Sequence, residues 1–306
     1  MKIVSFLPSA TEMICILGLT DQLVGITHEC DYPAAIRQKP VVVRNAIDLE
    51  KLSRAEIDTA VSARLQAGEG LYRVDENLLR RLDPDLILTQ NLCEVCAPSG
   101  NEVSQVLNSL SKKPEILWMT PKSLSQIFDN IRDLGAATGR SKEAKQFVAE
   151  AQARIDKVAA RARSAASKPR VFCMEWIDPV YCSGHWVPEM VGLAGGEDQL
   201  GRKGTDSVRI PWDDVLKWDP EILVVLPCGF HLDQAAEQAK LLASYPGWSK
   251  LSAVRQGKVY AVDASSYFAR PGPRVVDGVE LLAHLIHPEL FEWKGPSTAY
   301  QRIGDA

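Results

Sequence analysis

Short runs of β-branched and aliphatic residues alternate with amphipathic stretches along most of this 306-residue chain. Such alternation is typical of βα units, which build mainly parallel sheets covered by helices. In the first part, strands are predicted at Ile3–Phe6, Leu23–Ile26, Val41–Val43, Leu86–Thr89 and Ile116–Trp118. Helices are predicted from a cap at Ser9 or Thr11 to Gly18, and at Ser53–Ala67, Glu76–Leu82, Glu102–Leu110 and Leu124–Ala137. The pattern predicts an α/β lobe over residues 1–138.

The alternation stops between residues 139 and 168, where one long helix is predicted. Apolar residues recur there at steps of three and four, and no proline interrupts them before Lys168-Pro169. At 1.5 Å per residue, the helix would span about 43 Å. We interpret it as a rigid connection between two lobes. The alternative is a long surface helix within a single domain.

The α/β pattern begins again after Pro169, with strands predicted at Arg170–Met174, Ile222–Leu226 and Val259–Asp263. Helices are predicted near Pro188–Ala194, over Asp233–Ala243 and over Arg274–Leu285. The string Asp83-Pro84-Asp85 returns as Asp219-Pro220-Glu221, which indicates a duplication, although Asp-Pro also joins helices to strands in unrelated folds. The predicted fold is α/β: two Rossmann-like lobes with mainly parallel sheets, residues 1–138 and 169–306, joined by one backbone helix over residues 139–168.

Composition and charge exclude several classes of protein. With 46% hydrophobic and 24% charged residues, the chain has the composition of a globular protein. Its 35 basic and 39 acidic residues give a net charge of −4 without a basic cluster, so no nucleic-acid partner is expected. No apolar stretch approaches the ~18 residues of a membrane span, so the chain is predicted not to be membrane-embedded.

Cysteine usage and the N-terminus suggest a cellular location. Seven cysteines in a chain of this size favour reduced thiols and a reducing compartment. Met1–Glu12 is too short and too polar for an export leader. If Met1 is the natural start, the sequence therefore predicts a cytoplasmic protein.

Common catalytic signatures are absent from the sequence, so we expect a protein that is not an enzyme. It contains no G-x-G-x-x-G after a strand, no G-x-x-x-x-G-K-[ST], no G-x-S-x-G and no H-E-x-x-H. Aromatic residues with polar groups instead follow the carboxyl ends of predicted strands, where open α/β sheets bind ligands. Such residues offer rigid contact area to a large, flat ligand. The alternative is that each is a half-buried core aromatic.

The pair Cys93-x-x-Cys96 has the spacing of half a zinc site or of a redox pair. His28 and Cys30 lie on the same predicted edge, so these four residues are candidate metal ligands, with zinc the expected ion. Cys182, His185 and Cys228 are predicted there too. Three interpretations stay open: buried packing thiols, a metal site, or a reversible disulfide.

Four segments carry a family resemblance: Ile3–Glu12, Val24–Pro33, Asp83–Ile87 and Arg270–Arg274. They resemble cobalamin-binding substrate-binding proteins of ABC importers, which belong to the helical-backbone class III of periplasmic binding proteins. The resemblance implies a non-enzymatic protein that holds a cobalamin-like corrinoid in the cleft between its lobes and requires no cofactor. It also implies an ABC importer permease as partner, and a periplasmic location if a leader has been removed.

The resemblance also implies which loops face the ligand. They contain Pro8, Ser9, Asp31, Tyr32, Gln90, Trp176, Trp186, Phe230 and Tyr267. Two alternative functions remain: a metal-binding or redox protein that uses the cysteines and histidines, and a haem or siderophore carrier on the same fold.

Overall fold

The computed structural model describes residues 1–47, 59–60, 63–64, 66–67, 71–90, 110 and 112–304. The chain forms two compact units. Met1–Pro121 and Phe128–Phe147 make the first, and Lys122–Ile127 and Val148–Ala306 make the second. Each unit has its own mainly parallel sheet, so the predicted two-lobed α/β fold is confirmed.

The first unit contains a six-stranded sheet in the order β4-β3-β2-β1-β5-β6. Its strands are β1 (Ile3–Ser5), β2 (Leu23–Thr27), β3 (Val41–Asn45), β4 (Tyr72–Val74), β5 (Leu86–Thr89) and β6 (Glu115–Trp118). Neighbouring strands are parallel except for β3 and β4. The sequence analysis missed β4, and most of the predicted helices Ser53–Ala67 and Glu102–Leu110 lies outside the described residues.

The first helix, α1 (Pro8–Ile16), begins earlier than predicted. Its N-cap is Leu7, without a side-chain hydrogen bond, so Ser9 and Thr11 lie inside the helix and do not cap it. Pro8 suits the first helical turn because the amide hydrogen it lacks would have no partner there. Short 3₁₀ segments follow at Thr20–Gln22 and Ala34–Gln38, and α2 (Glu76–Leu82) precedes β5.

Two helices connect the units: α3 (Leu124–Ala137) and the longer α4 (Ser141–Ala162). The long helix is therefore confirmed, but at 22 residues it spans about 33 Å and ends before Lys168. The Ser164 hydroxyl donates to the carbonyl oxygen of Arg161 at 2.7 Å. Serine side chains that bond to the backbone in this way compete with helix propagation, which explains the early end.

The second unit contains a five-stranded sheet in the order β13-β12-β11-β7-β8 and a separate two-stranded sheet. Its strands are β7 (Val171–Trp176), β8 (Tyr181–Cys182), β9 (Gly184–His185), β10 (Arg202–Lys203), β11 (Ile222–Val225), β12 (Val259–Val262) and β13 (Tyr300–Arg302). The strands β7, β11 and β12 are parallel, whereas β8 and β13 are antiparallel to their neighbours.

Helices surround this second sheet. They are α5 (Val187–Leu193), α6 (Trp212–Trp218), α7 (Leu232–Ala239), α8 (Ser252–Arg255), α9 (Ala264–Tyr267) and α10 (Val275–Ile286). Short 3₁₀ segments occupy Lys240–Ser244, Trp248–Lys250 and Ser297–Ala299. Within the described ranges, no helix combines the length and the hydropathy that crossing a membrane requires.

The cores lie around the central strands of each sheet. Every residue of β1, β5 and β11 is buried, as expected for parallel strands covered on both faces. At about 25 cal/mol per Å² of apolar surface, such burial is the main favourable contribution to folding. The loops that follow these strands therefore begin at residues anchored in the core.

Candidate functional site

In the second unit, the parallel strands β7, β11 and β12 end at one edge of the sheet. Trp176 is the last residue of β7, Phe230 follows β11, and Tyr267 lies in the short helix after β12. The sequence predicted all three residues at this edge. Their backbones meet there because parallel strands point the same way.

Backbone hydrogen bonds join the loops that follow these strands. The amide of Cys228 donates to the carbonyl oxygen of Glu175 at 3.2 Å, which ties the β11 loop to the end of β7. The amide of Ser265 donates to the carbonyl oxygen of Phe230 at 3.0 Å, which ties the start of α9 to the β11 loop. The edge of this unit is therefore a preformed surface.

Trp176 and Phe230 form an aromatic pair on this surface. Their ring centroids are 5.4 Å apart and their planes meet at 62°, an edge-to-face arrangement. The indole Nε1 of Trp176 donates to the carbonyl oxygen of Asp178 at 3.1 Å, which fixes the ring. Both side chains are partly exposed, so the pair can cover an apolar face of a ligand without rearrangement.

Tyr267 and Trp186 are more buried than a ligand-facing role suggests. Tyr267 is 7% exposed, and its ring packs edge-on against Trp293 with centroids 5.9 Å apart. Trp186 is 4% exposed, and its Nε1 donates to the carbonyl oxygen of Phe268 at 2.8 Å. The structure thus places Trp186, which was expected to face the ligand, inside the core of its unit.

The corresponding edge of the first unit carries the remaining predicted residues. Pro8 and Ser9 are buried in the first turn of α1, and Gln90 is buried directly after β5. Asp31 is half-buried, whereas the Tyr32 side chain is 51% exposed. Tyr32 is therefore the residue of this group with the most surface available to a ligand.

Trp118 lies at the same edge, but the sequence analysis did not include it among the ligand-binding residues. It is the last residue of β6, is paired in register with Thr89 of β5, and is 42% exposed. An exposed tryptophan at the carboxyl end of a parallel strand is suited to ligand contact. Because Trp118 is the final residue of a predicted strand, a search limited to the loops after strands overlooks it.

The candidate metal ligands are only partly described, because Cys93 and Cys96 lie outside the described residues. The Nδ1 atom of His28 lies 3.2 Å from the carbonyl oxygen of Val43, and the Cys30 sulfur lies 3.1 Å from the Thr11 hydroxyl. Within the part of the chain that the structure describes, no three His, Cys, Asp or Glu side chains converge on a point where they could hold a metal ion. Among the described cysteines, Cys15, Cys173, Cys182 and Cys228 are free thiols.

Two carboxyl groups of the second unit, those of Glu175 in β7 and of Asp198, have shifted pKa values. Burial raises the pKa of Glu175 and raises the pKa of Asp198 to about 6. Glu175 accepts the amide hydrogen of Gly184 at 3.0 Å, and Asp198 accepts that of Gly201 at 2.8 Å and the Ser183 hydroxyl at 3.0 Å. The Glu175 bond fixes the segment between β8 and β10 to β7, the strand that ends in Trp176, and the Asp198 bonds join residues of that segment to one another.

Comparison with known proteins gives the family. The model of the family described as periplasmic binding protein (Peripla_BP_2) matches residues 3–265. A relative in Bacillus subtilis strain 168, the uncharacterized ABC transporter substrate-binding lipoprotein YvrC, is 26% identical over 299 residues, which cover 95% of this chain and 81% of the relative. The vitamin B12-binding protein of Vibrio cholerae is 24% identical over 283 residues, which cover 91% of this chain and 86% of that protein.

A solved structure supports the same fold. The periplasmic heme binding protein from Pseudomonas aeruginosa matches with a TM-score of 0.75 at 17% identity, over 100% of this chain and 99% of that one. At 17% identity, this similarity establishes the fold but does not identify the ligand. Because the family match extends over most of the sequence, this chain belongs to the periplasmic binding protein family.

Proposed function

We propose that this chain is a non-enzymatic substrate-binding protein that binds a cobalamin-like corrinoid and delivers it to an ABC importer permease. The observation that carries the ligand is the 24% identity, over 283 residues, to a protein named for vitamin B12 binding. Corrinoids are broad and flat, with largely apolar faces and polar amide groups at the rim. A site for them needs rigid aromatic surfaces with a few hydrogen-bonding groups beside them.

The edge of the second unit has these properties. Trp176 and Phe230 present a fixed aromatic pair, and backbone bonds hold the loops that carry them. A surface ordered before binding loses little conformational entropy when the ligand arrives. In the first unit, the exposed rings of Tyr32 and Trp118 supply further aromatic area at the carboxyl edge of that sheet.

Titration with cyanocobalamin, followed by calorimetry and absorbance, tests the proposal. We expect saturable binding with a single site, and no heat or spectral change at ~100 μM cyanocobalamin would contradict a corrinoid ligand. Haemin is titrated in parallel, because haem is a second flat tetrapyrrole that the same aromatic surface suits. Binding of haemin without binding of cyanocobalamin would assign the protein to haem carriage.

Trp176→Ala tests whether the aromatic pair contacts the ligand. We expect this variant to lose about 2 kcal/mol of binding free energy, roughly 30-fold in affinity, with little loss of stability. Trp218→Phe is the matched control, because Trp218 ends α6 and precedes β11, at the opposite end of the sheet. An unchanged affinity of Trp176→Ala together with a lowered melting temperature would show that Trp176 serves the core.

A further inference from the structure

Two arginines of the first unit lie directly opposite each other on neighbouring strands. Arg44 of β3 pairs in register with Arg73 of β4, the antiparallel strand at the edge of the sheet. Directly opposed residues of two antiparallel strands share one face, with Cβ atoms about 5 Å apart, and like charges in these positions repel each other. The arrangement is therefore unfavourable in the unliganded fold, and an anion between the two guanidinium groups would relieve the repulsion.

Within the described residues, no acidic side chain forms an ion pair with either of these exposed arginines. Two carboxyl groups follow β4 in the sequence, but both have other partners. The Asp75 carboxylate accepts the amide hydrogen of Leu78 at 2.9 Å. The Glu76 carboxylate pairs with Arg80, also at 2.9 Å. The arginine pair can therefore bind an anion that the ligand or the solvent supplies.

A cavity of about 480 Å³ lies beside the arginine pair. Its lining includes Arg44, Arg73 and Asn77, as well as the two acidic residues that are bonded elsewhere. Oδ1 of Asn77 accepts a hydrogen bond from Arg80 at 3.1 Å, so the amide nitrogen keeps its two hydrogen atoms to donate. The cavity thus combines two guanidinium groups with an amide donor, and its volume lies in the range of small-molecule sites, about 300–1,000 Å³.

We propose that Arg44 and Arg73 bind a phosphate-type oxyanion, and that its source is the phosphodiester in the nucleotide loop of the bound corrinoid. A guanidinium group donates two parallel hydrogen bonds to such an oxyanion, and two guanidinium groups on one face can share it. Arg44 lies one residue before the end of β3, at the carboxyl edge where open α/β sheets bind ligands. The assignment of the source rests on the proposed function, and it names the part of the ligand that this edge recognises.

Dicyanocobinamide is the probe that isolates the phosphate, because it keeps the corrin ring and lacks the phosphodiester and the base. Calorimetric titrations compare it with cyanocobalamin in Arg44→Gln, in Arg73→Gln and in the double variant. We expect each single variant to bind cyanocobalamin about 5-fold more weakly and the double variant at least about 20-fold more weakly. The affinity of all three for dicyanocobinamide should stay within about two-fold of that of the unaltered protein.

Salt separates recognition of the phosphate charge from contact with the base. Raising the salt concentration from about 50 mM to about 300 mM should weaken cyanocobalamin binding by the unaltered protein, because salt screens the attraction between guanidinium and phosphate. Binding by the double variant should not respond to salt in this range. A base stacked on the arginines would instead leave the two proteins with the same dependence on salt.

Arg81→Gln is the matched control. Arg81 is also exposed, but it lies near the end of α2, whereas the cavity is lined by residues at the start of this helix. The control variant should bind both corrinoids as the unaltered protein does. Because the repulsion between Arg44 and Arg73 is removed, their variants should melt at the temperature of the unaltered protein or slightly above it.

The outcomes separate the arginine site from the proposed function. Equal losses of affinity for both corrinoids, or no loss in the double variant, would show that the pair does not recognise the phosphodiester, while the binding function stands. If the unaltered protein binds neither corrinoid, the proposed function fails, and titration with inorganic phosphate decides the anion site. Phosphate binding that the double variant loses would retain the oxyanion site with free phosphate as its source. Absence of phosphate binding would remove it.

Discussion

Asp83 and Asp219 end two helices in the same left-handed conformation, with φ values of 48° and 46°. Asp83 ends α2 before β5, and Asp219 ends α6 before β11. Proline follows each aspartate, so the chain leaves the helix and enters the strand at the same step in both units.

The acidic residues that follow these prolines also have equivalent roles. The Asp85 carboxylate accepts the amide hydrogen of Lys2 at 2.7 Å, and the Glu221 carboxylate accepts that of Arg170 at 2.9 Å. In return, the amides of Asp85 and Glu221 each donate to a carbonyl oxygen of Lys2 or Arg170 at 2.8 Å. The short sequence repeat therefore builds one junction twice, which supports the duplication that it indicated.

The two aspartates differ in what their side chains contact, and this difference is testable. Asp219 accepts hydrogen bonds from the amide and the hydroxyl of Ser252, both at 2.7 Å, whereas within the described residues the Asp83 side chain makes no hydrogen bond. We expect Asp219→Gly to lower the free energy of unfolding by about 2 kcal/mol, because these bonds are lost. Asp83→Gly should change it by less than about 1 kcal/mol, because glycine adopts positive φ freely.

Urea denaturation of both variants measures the difference. Equal losses of unfolding free energy in the two variants would mean that the hydrogen bonds to Ser252 add nothing to the stabilisation that Asp219 provides. A loss confined to Asp83→Gly would contradict the argument outright.

Local signals account for the elements that the sequence predicted with the right bounds. The structure has α2 at Glu76–Leu82 and β5 at Leu86–Thr89, as predicted. The Asp75 side chain caps α2 by accepting the amide hydrogen of Leu78, and Asp83-Pro84 ends it. Where a cap, a proline and a continuous apolar run coincide, sequence alone determines the boundaries.

The segment between β8 and β10 could not be predicted in this way. Its strands have two residues each, and the side chains that fix it come from other positions: Glu175 lies before the segment, and Asp198 lies 15 positions after Ser183, whose hydroxyl it accepts. Side-chain contacts between distant positions have no periodicity in the sequence. The indole Nε1 of Trp186 donates to the carbonyl oxygen of Phe268, 82 positions further along the chain. The sequence pattern could not reveal this contact, and so it could not show that Trp186 is buried.

Trp186 is expected to act on stability rather than on binding. Because the side chain is 4% exposed, Trp186→Ala should lower the free energy of unfolding by about 3–5 kcal/mol. Trp186→Phe keeps most of the volume but loses the bond to Phe268, so we expect a loss of about 1–2 kcal/mol and an affinity for cyanocobalamin within about three-fold. A large fall in affinity of the phenylalanine variant, without a fall in melting temperature, would restore the ligand-facing role.

Trp118 is expected to behave in the opposite way. Its side chain is 42% exposed at the carboxyl end of β6, so Trp118→Ala removes little buried surface. If the ring contacts the ligand, affinity for cyanocobalamin should fall roughly 10-fold while the melting temperature stays nearly constant. Leu241→Ala is the control, because Leu241 is similarly exposed, at 46%, but lies in the 3₁₀ segment after α7. Equal affinities of the two variants would remove Trp118 from the site.

The buried carboxyl group of Asp198 should make stability depend on pH. Burial raises its pKa to about 6, whereas an unfolded aspartate titrates near the ordinary value of 3.8. Between these two values the folded protein binds a proton that the unfolded chain does not. The Asp198 carboxyl group therefore contributes most to the free energy of unfolding at low pH. This contribution, about 3 kcal/mol in total, is lost as the pH rises through about 6.

Asp198→Asn isolates this effect, because asparagine keeps the shape and cannot ionise. Relative to this variant, the unaltered protein should lose stability as pH rises from about 4 to about 7, as measured by urea denaturation at intervals across that range. Glu143→Gln is the control of opposite sign: hydrogen bonds from its own backbone amide and from Arg140 lower the pKa of Glu143, so the unaltered protein should gain stability relative to this variant as pH rises. Parallel stability profiles for Asp198→Asn and the unaltered protein would show that the Asp198 carboxyl group is solvated well enough to titrate normally.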